Sequence, residues 1–265
     1  MPLAELGVYL GLGVVVGFFA GLLGIGGGII VVSSLALIFS ADGFPPAFVM
    51  HLAIGTSLAA MMVGSFASFR AHDRHEAVDW SVVRSMTPGL LAGALVGVVV
   101  ARFASTALLK VFFLCFAAFV TAQMALNLRP KPSRSLPGAK ALGAIGVFIG
   151  AVASLFGGGA AAIGVPFLTW CNVTTHRAIG TVAAMGFPLA IAGTLGYAVA
   201  GWNVAALPRL SLGFVYLPAF IGISATSMLA APWGARIAHR LKGATLRRIF
   251  AIFLIAMGVK VAISV

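Results

Sequence analysis

The hexapeptide HLAIGT at His51–Thr56 returns as HRAIGT at His176–Thr181, and each copy follows a glycine cluster set inside an apolar stretch. The first cluster is GIGGG at Gly24–Gly28 and the second is GGG at Gly157–Gly159. Glycine loses more backbone freedom than any other residue on becoming helical, so such runs interrupt helices. The chain therefore has to be built as two halves, each broken at a matching point. Corresponding interruptions in two hydrophobic halves mark the central binding site of secondary transporters. The expected class is a membrane transporter with a site at the breaks.

Composition removes the alternatives to a membrane. Of 265 residues, 61% are hydrophobic and 8% charged, against about 45–50% and about 25% in soluble domains. Apolar runs near the ~20 residues that cross a bilayer recur throughout. The N-terminus, Met1–Glu5, has no basic region or cleavage signature, so no removable signal peptide is expected. The net charge of +12 sits mostly in loops between apolar segments, the pattern of membrane topology rather than of a nucleic-acid partner. Cys115 and Cys171 both lie in apolar surroundings and form no disulfide framework.

The first half reads as an apolar stretch over Leu6–Phe39 broken at the glycines, then spans near Pro46–Phe69, Val82–Ala101 and Ala104–Leu128. The second half reads as Ala141–Trp170 broken at Gly157, then Ala178–Gly201, Ser211–Trp233 and Leu246–Val265. Residues 1–128 and 141–265 are thus the two expected transmembrane repeats, joined by a Pro- and Lys/Arg-rich cytoplasmic linker over 129–140. Loop charge decides whether each broken stretch passes once or twice, because cytoplasmic loops collect Lys and Arg. Two passes put 13 basic residues on one side and 4 on the other, whereas one pass splits them 8 against 9. Two passes make five elements per half, an odd number that sets the halves antiparallel. The expected fold is an all-α polytopic membrane protein of two inverted-topology repeats with glycine-broken helices, the substrate site lying between repeats.

At the glycine clusters and the AIGT copies, at RAHDRHEAVDW (Arg70–Trp80), at GARIAHRL (Gly234–Leu241) and at LRRIF (Leu246–Phe250), the chain resembles the TauE/SafE-type sulfite exporter family, the toluene sulfonate uptake permease group. The likeness covers nearly the whole chain. It implies a multi-pass carrier of sulfur-containing or organic anions in the bacterial cytoplasmic (inner) membrane.

The residues carry their own reading of the site. At the breaks, Gly24, Gly26, Gly27 and Gly28 in the first half and Gly157, Gly158 and Gly159 in the second would expose free backbone amides at the start of the next half-helix. Such amides and the positive helix end suit an anion. The bland reading is close helix packing through small residues in lipid. Thr56, Ser57 and Thr181 are expected to donate to an oxyanion, against the alternative that they bond their own backbone one turn back. His51 and His176 are candidates for a proton or anion contact and otherwise interfacial histidines. Arg177 is either an anion contact or a plain topology arginine. Gln123, Asn127, Asn172 and Tyr197 are weaker polar candidates.

All five carboxylates (Glu5, Asp42, Asp73, Glu76, Asp79) fall in the N-terminal segment or loops, so no buried acidic proton relay is expected. The expected partners are a small anion and the lipid bilayer, with a homodimer kept open, no metal and no cofactor. Anion export runs with an inside-negative potential and needs no coupled ion. The rival readings are a carboxylate carrier, a metal-ion carrier that lacks soft-ligand spacing, a thiol–disulfide relay through Cys115 and Cys171, and a structural scaffold. A relay would make the chain an enzyme; the transporter reading does not.

Overall fold

The computed structural model describes residues 3–23, 27–74, 76–126, 132–158, 160–238 and 243–264. Ten helices form the described part: α1 (Leu3–Leu23), α2 (Gly28–Ala41), α3 (Val49–Arg74), α4 (Trp80–Phe103), α5 (Thr106–Ala125), α6 (Ala139–Phe156), α7 (Ala160–Trp170), α8 (Thr175–Ala200), α9 (Leu217–Ala238) and α10 (Gly243–Ser264). Five of these, α3, α4, α5, α6 and α8, are long and apolar enough to cross a bilayer. Their outer faces stay apolar: Leu95, Val99 and Phe103 on α4 and Leu108, Val111 and Phe119 on α5 are all exposed. A soluble protein does not present so continuous an apolar surface. The chain is an all-α polytopic membrane protein.

Helix ends follow local chemistry. Asp79 caps α4 by accepting from the backbone N–H groups of Ser81 and Val82, and Ser105 caps α5 by accepting from Leu108. α3 begins just after Pro45 and Pro46, which cannot sit inside a helix without losing a bond.

Long-range packing pairs the first helix of each half with the fourth of the other, α1 on α9 and α6 on α4, while α3 and α8 pack together at the centre. Glycines make the outer two interfaces. A methyl at Gly89 or Gly93 would lie 2.0 Å from the carbonyl oxygen of Gly143 or Val147, respectively. At Gly17 it would lie 2.3 Å from that of Ser227. Advancing four residues on one helix advances four on its partner (Gly13 to Ile223, Gly17 to Ser227), so both pairs run parallel. These four-residue glycine spacings are the small-residue contacts expected of helices in lipid.

Helix sense also settles the second break. Gly180 packs on Ala77 and Gly196 on Val98, so α8 runs parallel to α4 and hence to α6. α7 therefore returns between α6 and α8: the stretch doubles back at its glycines. α3 runs opposite to α8, with Gly55 near Tyr197, Leu58 near Gly193 and Ser65 near Gly186.

Two boundaries differ from expectation. The segment read as Ser211–Trp233 opens with a hairpin, β1 (Ser211–Leu212) and β2 (Val215–Tyr216), paired antiparallel, and α9 starts only at Leu217. The two-residue turn uses Gly213 at φ +55°, which left-handed hairpin turns favour. Strands this short carry no periodic signal. Ala139 and Lys140 belong to α6 rather than to the linker. The described part of the linker docks on the end of α7, where Trp170 Nε1 donates to Ser133 Oγ at 2.9 Å and Arg134 lies 4.7 Å over the Trp170 ring.

Candidate functional site

The start of α2 at Gly28 meets the end of α6 at Gly157 and Gly158. α6 ends at Gly157 (φ +87°) and Gly158 (φ +128°), conformations that side-chain-bearing residues rarely adopt. α2 starts at Gly28, with Gly27 before it and no side-chain cap. A methyl on Gly28 would stand 3.0 Å from the Gly157 carbonyl oxygen and 3.4 Å from Gly158 Cα. Ser57 of α3 sits at this junction, fully buried. Its hydroxyl donates to Gly157 O at 2.8 Å, with Gly28 O also in reach at 3.4 Å. Met61, one turn on, covers Gly158. Gly24, Gly26 and Gly159 lie outside the described residues, as does Asn127.

Beside the junction lies a cavity of about 470 Å³ lined by residues of α1, α2, α3, α7, α8 and α9. Gly27 at the start of α2 and Ala160 and Ala161 in the first turn of α7 all face it. The first residues of two half-helices therefore border one space, each helix start having backbone N–H groups that no preceding turn can satisfy. The cavity continues along α3 past Ser65 and Ser68 to His72, beside the exposed Arg70 and Arg74. Among the described residues, no carboxylate lines it.

Of the face of α3 that leads to this cavity, only Ser57 is among the sequence-based candidates; Ser65, Ser68 and His72 are not. Ser57, Met61, Ser65, Ser68 and His72 are spaced four, four, three and four apart, one face of an α-helix. That spacing is visible in the sequence without any structure. Ser227 of α9 adds a hydroxyl to the lining.

The duplicated threonines have matching partners. Thr56 Oγ1 accepts from the backbone N–H of Tyr216 at 2.9 Å, and Thr181 Oγ1 accepts from that of Asp79 at 2.9 Å. Each partner immediately precedes the fourth helix of the other half. The repeated threonine thus ties each half to its counterpart, and neither it nor Ser57 lines the cavity. Thr56→Val keeps the shape but leaves a buried amide without its acceptor, at a cost of about 1–3 kcal/mol. Melting of the purified variants should show Thr56→Val below Thr181→Val, because the second bond is only partly buried.

The two histidines occupy unlike places. His51 is 2% exposed, and its Nε2 donates to Ala101 O at 2.9 Å. Its Nδ1 is buried without a hydrogen-bond partner among the described residues. His176 is exposed, with its ring 5.9 Å from that of His72. Arg177 pairs with Asp79 at 3.5 Å, its side chain 54% exposed. It braces the loop before α4 and does not line the cavity. Exposed pairs of this kind contribute about 0–1 kcal/mol, so Arg177→Gln should melt close to the parent protein.

Among the weaker polar candidates, Tyr197 donates to Ser154 O at 3.2 Å and Asn172 to Arg134 O at 3.2 Å. Cys115 is exposed on α5, whereas Cys171 is buried after α7. Burial pushes the Cys171 thiol up, partly countered by Arg134, which disfavours a reactive thiolate.

Among the described residues, ten helices with apolar outer faces, bordering a cavity beside paired breaks, define a polytopic membrane transporter. The chain belongs to the sulfite exporter TauE/SafE family, whose model matches residues 9–261. It is 33% identical over 251 residues to a "Probable membrane transporter protein" of Haemophilus influenzae, covering 93% of this chain and 94% of that one. It is 26% identical to a protein of the same description from Methanocaldococcus jannaschii, over 83% of this chain and 79% of the other. No solved structure matches the chain significantly.

Proposed function

We propose that the chain moves a small sulfur-containing anion, sulfite or an organosulfonate, out of the cell across the bacterial cytoplasmic membrane. It does so by alternating access between two inverted-topology repeats, residues 1–128 and 141–265. The observation that carries the reading is the convergence of Gly27, Ala160 and Ala161 on one cavity. Free amides and the positive ends of two helices favour a negative charge there. Gly28, Gly157 and Gly158 meet beside this site, and Ser57 holds the breaks together.

Further support comes from charge and size. The cavity's volume of about 470 Å³ falls in the range of small-molecule sites, about 300–1,000 Å³. Its lining reaches His72, whose sequence neighbours Arg70 and Arg74 belong to the side that the loop charges mark as cytoplasmic. The opposite sense of α3 and α8, which carry the duplicated hexapeptide, favours inverted repeats. One negative charge leaving the cell gains about 2.3 kcal/mol per 100 mV, so export requires no coupled ion.

A thermal-shift panel on the detergent-purified protein tests the cargo class. Sulfite, thiosulfate, sulfate, sulfoacetate, taurine, lactate and chloride are compared at fixed ionic strength and pH. A ligand that binds the native state raises its apparent stability, so the expected result is selective stabilisation by one sulfur anion. Selective stabilisation by lactate would replace the reading with a carboxylate carrier, and a flat response would remove the anion site.

A further inference from the structure

A second cavity, about 460 Å³, lies at the other end of α3 and is lined by Phe48, Arg102, Trp202, Asn203, Phe214 and the end of α8. Phe48 precedes α3, whereas the first cavity begins at Ala60. Twelve residues of helix put about 18 Å between them. Aromatic rings line the interval. Phe48 and Phe214 form the floor of the second cavity and close on His51, with ring centroids 5.9 and 4.9 Å away. Behind them Tyr216 packs edge-on against Phe39 at 5.6 Å and Phe44 at 5.2 Å. These rings stand beside the stretch of α3 that separates the linings of the two cavities.

The second cavity gathers donors and, among the described residues, no carboxylate. Arg102 offers a guanidinium, Trp202 an indole N–H and Asn203 an amide, all exposed. None of the three has a protein acceptor among the described residues; the Arg102 guanidinium rests 5.9 Å from the Phe103 ring. Loop charge puts Arg102 among only four basic residues on the outer side. A planar guanidinium beside two neutral donors is suited to an oxyanion, which it meets with paired bonds. A guanidinium in the last turn of α4 also complements that helix's negative end, but this role does not explain an indole and an amide in the same cavity.

We propose that Arg102, Trp202 and Asn203 form an outer anion site, where the cargo anion rests between these aromatic rings and the exterior. The proposal rests on the anion reading above. It gives the transport path two stations, one on each side of the His51–Phe48–Phe214 cluster.

The test uses the full chain labelled with 5-fluorotryptophan, the Trp202 resonance being assigned from Trp202→Phe. Sulfite is titrated at fixed pH and ionic strength, and melting is followed in parallel. The expected result is a saturable Trp202 shift whose midpoint rises at least tenfold in Arg102→Gln and is unchanged in Arg209→Gln. Asn203→Leu should weaken it in the same direction. Ala161→Phe, which fills the inner cavity, should leave the shift in place. A shift that survives Arg102→Gln, or that disappears in Ala161→Phe, would overturn the outer site, as would a melting response to sulfite with no Trp202 shift. Absence of both the shift and any melting response would instead bring down the anion reading on which the site rests.

Discussion

Gly158→Leu is expected to reduce anion flux to the level of protein-free liposomes while the protein still inserts into the membrane. Gly158 sits at φ +128°, where a side chain is strained whatever the space around it. A Cβ there would also lie 1.9 Å from Met61 Sδ. Met61 is flexible and can move, but the space it would enter is the cavity it already lines. Strain of this kind costs on the order of 1–3 kcal/mol, which a protein of ordinary stability survives. The break itself does not keep its shape, and the start of α7 turns away from the cavity with it. Gly158→Leu combined with Met61→Ala removes the steric clash and keeps the backbone strain, so flux should stay low. Recovery of full flux in the double variant would show that space, not backbone shape, matters at Gly158. Gly26→Leu carries the same expectation for the first break, at a position outside the described residues.

The largest loss of stability is expected from Gly93→Val. A Cβ at Gly93 would stand 2.0 Å from the Val147 carbonyl oxygen and 2.7 Å from its carbon. These are backbone atoms, so relief requires the two helices to separate along a contact that Gly89 and Gly97 share. Overpacking costs about 1–3 kcal/mol and occasionally more, and here the upper end applies because no side chain is available to rotate. Gly17→Val should act alike on the α1–α9 contact, 2.3 Å from Ser227 O. Gly11, on the same helix as Gly17, has nothing within 4 Å, and Gly11→Val should melt within about 1 kcal/mol of the parent. Equal melting of the Gly93 and Gly11 variants would contradict the packing described for α4 and α6.

The helices and both breaks were readable because their signals are local. An apolar run has its length written in it, and three consecutive glycines interrupt a helix wherever they fall. Loop charge, a sum over the whole chain, correctly favoured a second break that doubles back. The site was only partly readable. Glycines at the breaks stood out by duplication, and two of the described ones, Gly27 and Gly28, do start a half-helix at the cavity. The partners of Thr56 and Thr181 are backbone amides in the other half of the chain, and no pattern around a threonine announces which amide it will meet. Arg177 meets Asp79 for the same reason: the fold brings together loops far apart in sequence. Ser57 stood out beside the duplicated hexapeptide, but the stripe that continues from it at helical spacing through Ser65 and Ser68 to His72 did not, because serines are common in membrane helices. The hairpin at Ser211–Tyr216 is too short to show alternation, and its aromatic residues read equally well as the start of a span.

The most direct test of the central claim is efflux of radiolabelled sulfite from proteoliposomes holding the purified chain, with a potassium-diffusion potential set by valinomycin. The predicted result is efflux above that of empty vesicles, faster when the interior is negative, with no added proton or sodium gradient, and absent in Gly158→Leu. Efflux equal to that of empty vesicles under both potentials, or accumulation of sulfite against an inside-negative potential without a coupled gradient, would contradict it.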